Sequence, residues 1–78
     1  MANRSVQIKD LDKFIETIVK SGFSYRQLAK EANTNQTTIS LLAKGERNPS
    51  PKLAVDLCKA LHCNFDDIFF IVNDYKSN

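Results

Sequence analysis

Apolar residues recur at three- and four-residue steps along most of the chain. Ile8, Leu11, Phe14, Ile15 and Ile18 fall on one face of a helix, and Gly22 is suited to a left-handed stop just beyond it. The next start is densely marked. Ser24 is a capping residue, Gln27 three positions on completes a capping box, and Phe23 before the cap pairs with Leu28 as a hydrophobic staple. Leu28, Ala29 and Ala32 give this segment a short apolar side, and Asn33 tolerates the left-handed backbone that ends it. Asn35 then caps a further segment whose buried stripe is Ile39, Leu42 and Ala43, with Gly45 as its stop. Ser50-Pro51 opens a fourth run carrying Ala54, Leu57, Cys58 and Leu61. A fifth starts at Asn64, with Asp67 at its third position and Phe65, Ile68 and Phe69 on its apolar side.

The pattern predicts five helices, near 8–21, 25–32, 36–43, 51–61 and 65–70. Phe70-Ile71-Val72 has the composition of a short terminal strand, and the polar tail from Asn73 is expected to fray. The expected fold is therefore all-α: a compact five-helix domain with a core over about 8–70 and a short non-helical tail over 71–78. With 78 residues the chain has room for a single domain, and folding buries only about 60% of the surface of so short a chain.

Composition narrows the function classes. Charged residues make up 26% and hydrophobic ones 42%, which suits a soluble globule. The longest apolar run, Ile68 to Val72, has five residues, far below the roughly 18 of a membrane span. The polar N-terminus lacks the apolar stretch of a secretory signal, so a cytoplasmic location is expected and no membrane partner. Net charge is +2, but its distribution says more. Residues 1–52 carry nine basic and five acidic groups, whereas 53–78 carry two basic and four acidic ones. A basic front and an acidic back suit docking on a polyanion.

The two cysteines, Cys58 and Cys63, read as reduced and buried, because a helical spacing of five places them poorly for a disulfide. Cys58, His62 and Cys63 are candidate metal ligands, and Cys58 and His62 share a helical face, but a structural zinc needs four ligands and only Asp66 or Asp67 could be recruited locally. No metal and no other cofactor is expected. A Cys–His nucleophile lacks an oxyanion site, so no enzymatic constellation emerges.

The informative unit is the pair of short helices joined through Asn33-Thr34-Asn35. Neither persists alone in water, so each must be held by the rest of the domain. The second then presents an outward ridge, and a B-DNA major groove about 12 Å wide admits one helix. Along that ridge Gln36, Thr37 and Ser40 offer groups that pair with base edges, and Leu41 offers contact for a thymine methyl. Lys44 and Arg47 flank it where phosphates run. Phe69, Phe70, Ile71 and Val72 are adjacent and cannot all enter one small core, which marks Phe70 and Val72, with Tyr75, for a homodimer contact.

The order and spacing of Ser24-x-x-Gln27-Leu28-Ala29, Asn35-Gln36-Thr37-Thr38-Ile39-Ser40 and Gly45-x-Arg47-Asn48-Pro49-Ser50 resemble the Cro/C1-type helix-turn-helix regulators. Leu57-Cys58-Lys59-Ala60-Leu61 and Phe65-Asp66-Asp67-Ile68-Phe69 extend the likeness over residues 8–70, with the motif at 24–44. The resemblance implies a five-helix domain that binds operator DNA, usually as a homodimer, with Gln36, Thr37 and Leu41 facing bases. It also implies that Tyr25, Asn35, Thr38, Lys44, Arg47 and Asn48 face the DNA backbone. The chain departs from the family pattern at Tyr25, Asn33, Leu41 and Ala43, the third being apolar where a polar or basic residue is common. The resulting expectation is a sequence-specific regulator, a repressor acting as a homodimer on a roughly palindromic operator. The alternative is a protein-binding module of the same fold, an antirepressor or antitoxin, that acts through a second regulatory protein.

Overall fold

The structure, a computed structural model, describes residues 2–75, with side chains from Ser5 to Asn73. The elements in order are β1 (Ala2–Ile8), α1 (Leu11–Lys20), α2 (Tyr25–Glu31), α3 (Gln36–Ala43), α4 (Pro51–Leu61), α5 (Phe65–Ile68) and β2 (Phe69–Tyr75). All five helices are present. The expectation of an all-α fold is corrected by a two-stranded antiparallel sheet, in which β1 and β2 pair from Ile8↔Phe69 out to Ala2↔Tyr75.

Three boundaries move with that sheet. Ile8 has helical spacing to Leu11 and Ile15, yet α1 begins only after Asp10, whose carboxylate accepts the Lys13 N–H at 3.2 Å. Ile8 therefore lies on β1. Next, α5 stops at Ile68 because Phe69 turns to extended backbone. The tail expected to fray is strand through Tyr75, and its last three residues lie outside the described ones. The Lys9 N–H to the Ile68 carbonyl, 2.8 Å, continues the ladder into the helical body.

Local chemistry fixes the helices at both ends. Asp10, Ser24, Asn35 and Ser50 each accept a hydrogen bond from the backbone N–H three residues on, at 2.8–3.2 Å. At Ser24 the box closes, since its own N–H donates to Gln27 Oε1. Helices α1 to α4 end alike, in a residue with positive φ: Gly22, Asn33, Gly45 and His62. In each case that residue and its successor donate back to carbonyls of the last turn, closing a Schellman motif.

The caps aim the apolar faces inward. Phe14, Ile18, Leu28, Ile39, Leu42, Leu57 and Phe69 are fully buried. Phe69 is the common neighbour of two rings, Phe14 at 6.3 Å and Phe65 at 5.4 Å between centroids. The core begins earlier than residue 8, because Val6 on β1 is also buried. Cys58 is buried and Cys63 half-buried, both as free thiols. None of the described helices is long and apolar enough to cross a membrane.

Candidate nucleic-acid interface

Helix α3 is held from behind. Thr38, Ile39, Leu42 and Ala43 are buried on its inner side, and small Ala29 of α2 lets the two helices approach. The turn between them is short because Asn33 adopts φ 57° and Thr34 donates to the Ala29 carbonyl at 2.8 Å. With both ends capped, α3 has one orientation relative to the body, and its other side faces out.

Gln36, Thr37, Ser40, Leu41 and Lys44 line one shallow, open hollow of about 310 Å³ on that outer side. Their spacing places them on adjacent turns of one helix face. Gln36, Thr37 and Lys44 are exposed, while Ser40 and Leu41 are half-buried. Leu42 belongs to the core, so Leu41 is the large apolar side chain of this surface. The arrangement joins hydroxyl and carboxamide groups, one methyl-bearing side chain and a terminal cation. Such a set can hydrogen-bond base edges and contact a thymine methyl.

The expected backbone-facing residues divide. Lys44 belongs to the α3 face. Arg47 and Asn48, both exposed, line a second hollow of about 690 Å³ between β1, the α2–α3 turn and the start of α4. Thr38 edges the same hollow but is only 8% exposed, and its N–H is taken by Asn35 Oδ1 at 2.8 Å. Its burial and its capped N–H help to anchor α3. Asn35 is exposed, with its side-chain oxygen committed to the cap, and Tyr25 is half-buried against the core. Neither lines either hollow. The ion pairs among the described residues are Lys20–Glu16 and Lys52–Asp56, so neither Lys44 nor Arg47 is neutralised that way.

Sequence reasoning gave no role to the first seven residues, yet Ser5 and Val6 of β1 form one wall of the second hollow. The signal was the two-residue step from Val6 to Ile8, too brief to read as a strand alone. Of the residues expected at a dimer contact, Phe70 is 38% exposed and Val72 half-buried, on the same face of β2. Tyr75 pairs with Ala2, and its side chain lies outside the described residues. Ile71, on the opposite face, is 54% exposed and was not singled out.

Comparison with known proteins gives a consistent answer. The helix-turn-helix family matches residues 16–68, from the middle of α1 to the end of α5. An uncharacterized HTH-type transcriptional regulator of Bacillus subtilis (strain 168), YgzD, is 28% identical over 60 residues, covering 77% of this chain and 91% of the relative. Two uncharacterized HTH-type transcriptional regulators of Archaeoglobus fulgidus are 34% and 36% identical over 50 residues, 64% of this chain and 71% and 70% of theirs. No solved structure matches the chain significantly. The capped helix pair, the buried stripe that fixes α3 and the family match from mid-α1 through α5 agree: the chain belongs to the helix-turn-helix family of the Cro/C1 type.

Proposed function

We propose that this protein is a sequence-specific regulator of transcription, a repressor that binds double-stranded DNA as a homodimer by placing α3 in the major groove. The observation that carries the reading is the gathering of Gln36, Thr37, Ser40, Leu41 and Lys44 on one outward face of a helix fixed by its own core. Gln36 and Thr37, at the helix start, reach base edges, with Ser40 and Leu41 one turn on. Lys44, Arg47 and Asn48 hold phosphates, assisted by Tyr25 and Asn35. Thr38 sets the height of α3 above the body. Occupying a promoter then excludes polymerase, in the compartment where chromosomal DNA lies.

The two kinds of contact differ in what they do to affinity. Gln36→Ala removes a bidentate side chain and costs about 1–3 kcal/mol on the preferred site, relaxing preference at one base position. Lys44→Ala removes one phosphate contact, weakens all duplexes about equally and flattens the salt dependence by roughly one in log–log slope. Selection of sites from random duplex DNA, followed by titration of both variants over a range of salt, tests the assignment. Equal loss for Gln36→Ala on every sequence would refute base readout. A slope unchanged by Lys44→Ala would remove that residue from the phosphate set.

A further inference from the structure

The C-terminus of α4 brings two thiols together. His62 takes the left-handed conformation, φ 54° and ψ 47°, and reverses the chain there. The Cys63 N–H then donates to the Cys58 carbonyl at 3.1 Å, and the His62 N–H to the Lys59 carbonyl at 3.4 Å. In a Schellman motif those bonds set the side chains of the two outer residues against each other, usually as an apolar contact. Here both are cysteines, and each side chain lies close enough to the other to perturb its ionisation. The spacing of five that argued against pairing on a continuous helix therefore works in favour of it, because the helix has already ended.

We propose that Cys58 and Cys63 are a reversible disulfide site, closed by exchange with a small-molecule disulfide such as glutathione disulfide. The two thiols divide the work by accessibility. Cys63 is half-buried beyond the helix end, whereas Cys58 is 8% exposed inside α4. The Cys63 thiolate attacks one sulfur of the incoming disulfide, forming a mixed disulfide and releasing the first small thiolate. Cys58 then gives its proton to solvent and attacks Cys63 Sγ, forming the internal bond and expelling the second small thiolate. Two protein thiols are oxidised, and one small disulfide is reduced to two thiols. Burial raises the pKa of both groups and Asp67 adds to it, but the neighbouring Cys58 side chain offsets part of the rise at Cys63, and with its greater exposure this makes Cys63 the entry point. Exchange therefore accelerates as the solution is made alkaline. The product is a covalent tie between the last turn of α4 and the link into α5 and β2.

The test uses the reduced full chain. It is incubated with glutathione disulfide, quenched with acid, alkylated and read by mass spectrometry of the intact chain and its peptides. The expected product has lost both alkylatable thiols, carries no glutathione and joins Cys58 to Cys63 within one chain. Cys58→Ser is expected to stop at glutathione on Cys63, and Cys63→Ser to react many-fold more slowly, circular dichroism showing that both are folded. A persistent glutathione adduct on the unaltered chain, disulfides between chains, or two thiols still open to alkylation would each overturn the proposal.

Discussion

Burial at the end of α4 makes Cys58 sensitive to alkali. Desolvation first, with the neighbouring Cys63 and Asp67 adding to it, pushes its thiol from an ordinary 9.0 up to about 12. In the unfolded chain the thiol gives up its proton near the ordinary value, whereas the folded chain keeps it. Between the two values the unfolded state binds fewer protons, so stability falls as pH rises. The contribution is complete below the ordinary thiol range and is lost by the time the folded-state value is passed. Urea unfolding under reducing conditions, at neutral pH and again about two pH units above it and higher, measures this. The loss of stability with pH is expected to be smaller in Cys58→Ala than in the unaltered chain. Identical slopes for the two proteins would show that the thiol is not held protonated by the fold.

At the scale of elements, the helix stops decide where α3 points, and two of them can be compared directly. Gly22 and Gly45 both have positive φ, 79° and 76°, so an added side chain strains either backbone. At Gly22 a Cβ would meet open space, and Gly22→Ala is expected to cost about 1 kcal/mol, the ordinary left-handed penalty. At Gly45 the Cβ would sit 2.8 Å from Leu11 Cδ1, so the Leu11 side chain must move as well. Gly45→Ala is therefore expected to be the more destabilising of the two in denaturant unfolding, and to weaken DNA binding where Gly22→Ala does not. Equal costs would mean that Leu11 yields freely. These stops, like the caps at Ser24, Asn35 and Ser50, were legible in the sequence because each rests on one residue type with a local reason to be there. The α3 face was legible for the same reason, since helical spacing alone sorts Ile39 and Leu42 from Gln36, Thr37, Ser40 and Leu41. The sheet was not. Its stability comes from pairing residues more than sixty positions apart, as Ile8 with Phe69, and a partly polar segment such as residues 2–8 has no local signal strong enough to announce that partner. The dual place of Thr38, beside the hollow yet buried, was equally hidden, because burial on a short helix depends on what packs behind it.

For the molecule as a whole, the sheet changes what a dimer needs. A two-stranded ribbon is marginal in water, and this one is supported by the helical body at the Ile8↔Phe69 end, where Phe69 is buried. The longest extent of the molecule is 47 Å against 21 and 20 Å in the other directions, so mass extends well beyond a compact helical body. Phe70 and Ile71 expose apolar surface on opposite faces of β2, and residues 68–73 contain no charge to discourage another strand or face from docking. In the proposed homodimer, a two-fold pairing of β2 regions would bury these residues, and a palindromic site would set the two α3 helices about 34 Å apart. Phe70→Lys tests the association without touching the core, because Phe70 is already partly open to solvent while neighbouring Phe69 carries the packing. The variant is expected to stay folded and to shift to monomer in sedimentation equilibrium. On a two-half-site duplex its affinity should drop at least tenfold, about 1.4 kcal/mol, while binding to a single half-site stays near that of the parent. An unaltered mass in solution would remove Phe70 from the proposed dimer contact. A matching loss on the single half-site would mean that Phe70 acts through the fold of the reading head, and not through a second copy.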